Sequence, residues 1–199
     1  MLSVGGWGSG RFSEMASDDQ RRLSFAQDCL KAVEEFGLDG IDIDWEYPTS
    51  RAAGISASPD DTDNYTLLMR DLRKVLGRKA LLTLASVGSA KFVDFPAILK
   101  YIDFVNIMAY DMGGAPKHHT ALYSSQNTNM SADDAVNAHI KAGVTMSKLV
   151  LGMAFYGRGG GKGGFPNFMD YNRIPRQSEK YEERWDYQAQ APYLGDMDG

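Results

Sequence analysis

Two periods of apolar residues alternate along this chain. Residues 2–6, "LSVGG", are a short apolar run into a glycine turn and predict a strand. A polar loop follows. "SDDQ" at 17–20 then has the form of a capping box, with Ser17 as N-cap and Gln20 three positions on. The helix it opens places Leu23, Ala26, Leu30 and Val33 on one face and stops at Gly37. A strand is predicted over 40–46, ended by Pro48, which has no N–H for a ladder. A glycine-containing loop runs to Pro59. A helix over 61–76 carries Tyr65, Leu68, Met69, Leu72 and Val75 as its apolar stripe, with Gly77 behind it. Then come a strand (80–88), a short helix (95–102), a strand (104–112) and a helix (131–143) between Ser131 and Gly143. The last predicted strand covers 148–157. A glycine-rich loop follows, and one more helix through "EKYEERWDYQAQ" at 179–190.

Five strands thus alternate with helices. Their apolar runs are nearly continuous, as expected of strands covered on both faces, so the order implies a parallel sheet with right-handed helical crossovers. An open doubly wound sheet and part of a (β/α)8 barrel both fit. With 199 residues, 43% hydrophobic and 24% charged, the chain suits a single domain spanning 1–199. A net charge of −5 argues against nucleic acid or an anionic membrane as partner and favours a neutral ligand. No apolar run reaches the roughly 20 residues of a membrane helix. Cys29, the one cysteine, has helical spacing to Phe25 and Val33 and is expected as a buried thiol.

The stretch "DGIDIDWEYP" at 39–48 interleaves carboxylates with residues that prefer burial. On a strand, alternate side chains share a face. Asp42, Asp44 and Glu46 therefore point one way, and Ile41, Ile43 and Trp45 point the other. Asp39 has the opposite parity and belongs to the preceding turn. Carboxylates two residues apart stand roughly 6.5–7 Å apart at the backbone, so repulsion and desolvation should keep at least one protonated near neutrality. Glu46 is the natural general acid, because it is longest and stands at the C-terminal end of a parallel strand, where barrel and open-sheet active sites form. A metal site is not expected: isoleucine and tryptophan occupy slots an EF-hand needs polar, and no helical histidine pair suggests zinc. "GGGKGG" at 159–164 precedes "FPNF" rather than a helix and is expected as a flexible loop. His118 and His119 fall in a loop after a strand, as loop residues or substrate contacts. Met108 and Phe155, each taken alone, are expected in the core. Aromatic and polar residues gather at predicted strand C-termini: Trp7, Tyr47, Tyr110 with Asp111, and Tyr156 with Arg158. Such groups suit the apolar faces and hydroxyl rims of pyranose rings.

These residues carry a family likeness. "DGIDIDWE" matches D-x-x-D-x-D-x-E, the fourth-strand signature of glycoside hydrolase family 18, the chitinase family. "SVGG" at 3–6 resembles its S-x-G-G third-strand motif, "MAYD" at 108–111 its M-x-Y-D sixth-strand motif, and "FYGRG" at 155–159 the segment after its seventh strand. The resemblance implies a (β/α)8 barrel of which this chain holds about strands three to seven, the others lying before Met1 and after Gly199. Such an open barrel would have two unpaired edges. The resemblance also implies a retaining, endo-acting chitinase without cofactors. Glu46 would protonate the glycosidic oxygen while the substrate's own 2-acetamido group attacks the anomeric carbon. Asp44 would orient the acetamido N–H, Asp42 would share a proton with Asp44, and Tyr110 would donate to the acetamido oxygen. Trp7, Tyr47, Met108, Asp111, Tyr156 and Arg158 would contact sugar. The alternatives are an endo-β-N-acetylglucosaminidase acting on N-glycans, or a non-catalytic chitinase-like lectin, although such lectins usually lack the glutamate present in this chain as Glu46. A polymeric substrate implies a secreted or periplasmic protein, expected as a monomer.

Overall fold

The structure is a computed structural model that describes residues 1–160, 167–177 and 181–196. It divides into two compact units. The first comprises 1–86, 90–106 and 140–150; the second comprises 87–89, 107–139 and 151 onward.

The first unit is built on a five-stranded sheet in the order β1 (Leu2–Gly5), β2 (Gly40–Asp44), β3 (Leu81–Val87), β4 (Phe104–Met108), β5 (Leu149–Leu151). Spatial order equals sequence order and the strands are parallel, as in consecutive strands of a (β/α)8 barrel. Helices α1 (Phe12–Ala16) and α2 (Asp19–Phe36) follow β1, α3 (Asp61–Leu76) follows β2, and α4 (Phe95–Ile98) follows β3. Register puts Ser3 beside Asp42, and Asp42 beside Thr83. Between β1 and β2 the backbones approach so closely that a Cβ on Gly5 would lie 1.9 Å from the Asp44 carbonyl oxygen; with φ at +128°, only glycine fits there.

The opposite face of β2 is the core. Ile41, Ile43 and Trp45 are buried against the helices. The Trp45 ring stacks on Phe12 at 5.5 Å and meets Tyr65 edge-on at 5.3 Å. Tyr65 also donates its hydroxyl to the Ile43 carbonyl, which satisfies its one polar atom in the core.

Several boundaries differ from those expected. Helix α2 is capped by Asp18, not Ser17: the Asp18 carboxylate accepts the Arg21 N–H and its backbone is extended, as an N-cap requires. Ser17 instead closes α1, a turn of helix inside the stretch expected to be loop. Leu23 is exposed rather than buried; the inward face runs through Arg22, Ala26 and Cys29, with Arg22 neutralised by Asp71 and Asp19. Strand β2 ends at Asp44, so Trp45 and Glu46 lie beyond the ladder. The helix expected over 95–102 is a single turn with Asp94 accepting the Ala97 N–H. Strand β4 ends at Met108, because Ala109 donates back to Ile107 and Asp111 turns left-handed.

In the second unit, helix α5 (Ala132–Lys141) begins as expected. Ser131 Oγ accepts the Asp134 N–H while the Asp134 carboxylate accepts the Ser131 N–H, a reciprocal cap. The strand expected over 148–157 is two pieces, β5 and the two-residue β6 (Tyr156–Gly157), which pairs antiparallel with β7 (Met169–Asp170). Phe155, expected in the core, is 72% exposed. The helix expected in 179–190 is a hairpin of β8 (Tyr181–Asp186) and β9 (Ala191–Asp196). Aromatics at 181, 185 and 193 favour strands, and Asp186 accepts the N–H groups of Gln188 and Ala189, which folds the chain back at the turn. Residues 161–166, most of the glycine-rich run, lie outside the described residues, as do 179 and 180 of the expected helix.

Candidate active site

The first unit's polar row begins with Asp42. Donors from β1, β3 and β4 surround its carboxylate. Ser3 Oγ donates to Oδ2 at 2.7 Å; Thr83 Oγ1 and Asn106 Nδ2 donate to Oδ1 at 2.6 and 3.0 Å. A buried carboxylate is tolerable when its lone pairs are filled in this way. None of the three donors was identified from the sequence. Each is a polar residue inside an apolar strand run, but only strand pairing shows that they meet.

Asp44, two residues on, shares the Asp42 face. Its Oδ1 is buried and has no hydrogen-bond partner. Burial first, then the nearby charges of Glu46 and Asp42, pushes its carboxyl up from 3.8 to about 6. The Asp44 carboxyl is thus poised near neutrality within the row. Glu46 is half-buried, just past the strand's end, and makes no hydrogen bond or ion pair among the described residues. Its backbone has left the ladder, so its carboxyl is not bound to the pleat's alternation. Asp39 is exposed in the turn before β2, where its carbonyl accepts the Leu81 N–H.

Around this row stand aromatic rings. Trp7, 64% exposed after β1, meets Tyr47 edge-on at 6.3 Å. Tyr47 in turn stacks on Phe92 at 5.2 Å with an interplanar angle of 16°. Phe92 was not picked out from the sequence, where it lies in a polar loop. Its φ of +72°, rare for a bulky residue, holds the ring against Tyr47.

The second unit holds the remaining sequence candidates. Asp111 accepts both Nε and Nη2 of Arg158, at 2.6 and 2.8 Å, and the Tyr156 hydroxyl at 2.9 Å. Burial works against this carboxylate's charge, but hydrogen bonds from Arg158 and Tyr156 outweigh it and bring the pKa below the usual range. The Arg158 guanidinium also lies over the rings of Tyr156 and Phe168. Tyr156 packs against Tyr110 at 6.1 Å and against His119 at 5.2 Å. His119 Nδ1 accepts the Asp111 N–H, so its Nε2 carries the hydrogen and donates to the Tyr156 carbonyl. Burial lowers its pKa, which favours this neutral form. His118 is paired with Asp186, which Ser125 and Asn127 also hold. Both histidines, read from the sequence as loop residues or sugar contacts, are anchored. Met108 is half-buried at the end of β4. Among the described residues no cluster of three or more His, Cys, Asp or Glu could hold a metal ion, and no helix is long and apolar enough to cross a membrane.

Consecutive parallel strands separated by helices, with carboxylates at a strand's C-terminal end, match part of a (β/α)8 barrel with a carboxylate site. The family model for glycosyl hydrolases family 18 matches residues 1–198, and the chain belongs to that family. Chitinase A1 of Niallia circulans is 38% identical over 184 residues, covering 80% of this chain and 26% of that protein. Chitinase 1 of Aphanocladium album is 35% identical over 211 residues, covering 88% and 48%. The chain therefore spans less than half the length of either relative. Among solved structures, the chitinase domain of the spore coat protein CotE from Clostridium difficile superposes with a TM-score of 0.82 at 35% identity, over 100% of this chain and 61% of that one. A family 18 N-acetylglucosaminidase from Paenibacillus barengoltzii gives 0.86 at 37%, over 98% and 67%.

Proposed function

We propose that this chain is part of the catalytic domain of an endo-acting chitinase, hydrolysing β-1,4-linked N-acetylglucosamine polymers with retention and with help from the substrate itself. The observation that carries the reading is the acidic run of β2 in a family 18 chain, with the Asp44 carboxyl lifted to about 6 beside Glu46 and Asp42. Glu46, unencumbered at the strand's end, protonates the leaving glycosidic oxygen. The acetamido carbonyl oxygen bonds to the anomeric carbon as the C–O bond breaks, giving an oxazolinium ion. Asp44 accepts the acetamido N–H and stabilises the positive charge that develops there. Asp42 sits behind it, held by Ser3, Thr83 and Asn106, and tunes that charge. Glu46 then takes a proton from water, which opens the oxazolinium ring and restores the configuration. The family likeness, in which the substrate's acetamido group is the nucleophile, favours this route over a protein nucleophile.

The likeness further assigns Tyr110 to the acetamido oxygen, and Trp7, Tyr47, Met108, Asp111, Tyr156 and Arg158 to sugar contacts. An extracellular setting and a monomer belong to the same proposal. A second reading, release of N-acetylglucosamine units rather than internal cleavage, draws support from the Paenibacillus barengoltzii neighbour named for that activity. The test is Glu46→Gln assayed on chitooligosaccharides. General acid catalysis supplies about 10²–10⁴-fold, so turnover should fall by that factor while binding persists. Undiminished turnover would remove Glu46 from its role.

A further inference from the structure

Among the described residues, the chemistry proposed above leaves one fully buried carboxylate without a task. Asp61, in the first turn of α3, is 0% exposed, and its donors come from three separate stretches of chain. Ser13 Oγ, on α1, donates to Oδ1 at 2.7 Å. The backbone N–H groups of Thr49 and Ser58 both donate to Oδ2, at 3.1 and 2.8 Å. One oxygen thus clamps both ends of the segment 49–58, which follows Glu46, Tyr47 and Pro48 without a break.

Helix capping accounts for part of this arrangement. An acidic side chain at the start of a helix commonly reaches back to an N–H a few residues before it, as Asp61 does to Ser58. Capping does not account for Thr49 or Ser13. Thr49 has φ at +62°, a region that β-branched residues rarely occupy and that persists only where neighbours over-determine it. The Asp61 bond to its N–H is one such constraint. The same segment buries Ile55 in the core and is tied to α1 by Ser56 Oγ donating to Glu14 at 2.7 Å. Helix α1 itself follows the turn that carries Trp7.

We propose that Asp61 is a positioning residue for the general acid/base: by gripping Thr49 it fixes how the chain leaves β2, and with that the direction of the Glu46 carboxyl and the Tyr47 ring. This rests on the role proposed for Glu46, through which Asp61 acts. A displacement of about 1 Å in a catalytic group can cost 10²-fold, so the anchor should show in turnover rather than in affinity.

Hydrogen exchange and kinetics together test it. In the unmodified chain the amides of Thr49 and Ser58 should exchange slowly, although neither donates to a backbone carbonyl among the described residues. Asp61→Ala should speed exchange at those two amides selectively. It should also lower kcat by about 10–100-fold on chitooligosaccharides, with KM within about twofold. Asp61→Asn should restore both, since its carbonyl oxygen can take the two amides while its NH2 donates to Ser13. Fast exchange at Thr49 and Ser58 in the unmodified chain overturns the proposal even if Asp61→Ala does not fold. So does unchanged kcat in Asp61→Ala, a uniform rise in exchange along the chain, or an Asp61→Asn variant as impaired as the alanine. Should the unmodified chain cleave no chitooligosaccharide, the reading of Glu46 fails separately. The exchange arm then decides the anchor alone: selective loss at the two amides upholds it, and any other pattern sinks it.

Discussion

Replacing Asp44 with asparagine should stabilise the chain at neutral pH and leave it unchanged in acid. The native Asp44 carboxyl is raised from 3.8 to about 6 by burial and by the charges of Glu46 and Asp42. Between those values the folded state holds a proton that the unfolded state has released, so stability falls as pH rises through this window. Above it, the ionised carboxylate is disfavoured in the fold. The displacement is worth about 3 kcal/mol at full weight. Part of the side chain is open to solvent, and screening brings the expected penalty to about 1–2 kcal/mol. Asparagine has the shape of the neutral acid and escapes the penalty. Urea denaturation of both proteins at pH 3.5, 5 and 8 measures the difference. Near-identical midpoints are expected at pH 3.5, a gap opening by pH 5, and the full gain for Asp44→Asn at pH 8. A constant difference across pH, or a variant less stable at pH 8, would refute the electrostatic reasoning, because neither can arise from a carboxyl that resists ionisation.

Two further outcomes follow from the same structure. Thr83→Val removes the shortest of the three hydrogen bonds to Asp42 and leaves Oδ1 with Asn106 alone; it should destabilise the chain by about 1–3 kcal/mol in the same urea assay. The Cys29 thiol, pushed up to about 12 by burial, should resist a thiol reagent at pH 8 until the chain is unfolded.

Much of the first unit could be read from residue types, because local rules and tertiary packing agree there. The stripe Tyr65, Leu68, Met69, Leu72 and the stop at Gly77 give α3 its observed bounds. The alternation of Ile41, Asp42, Ile43 and Asp44 sorts core from polar row. What could not be read depends on pairing between distant segments. The donors around Asp42 come from three strands, and the Tyr47–Phe92 stack needs a loop whose left-handed backbone leaves no signature in residue type. At Glu46 the alternation rule reaches two residues too far, since β2 stops at Asp44. At 181–196 the run of Glu, Gln and Ala favours a helix locally. The turn closed by Asp186 and the aromatic strand residues outweigh that preference.

Substrate assistance is the centre of the proposed mechanism, and one comparison addresses it directly: the rate of cleavage of a β-1,4-linked oligosaccharide bearing 2-acetamido groups against the same oligosaccharide bearing 2-hydroxyls. Without the acetamido oxygen no oxazolinium ion can form, so the first should be cleaved and the second should not. Comparable cleavage of both would show that the acetamido group is not the nucleophile and contradict the proposed role of Asp44.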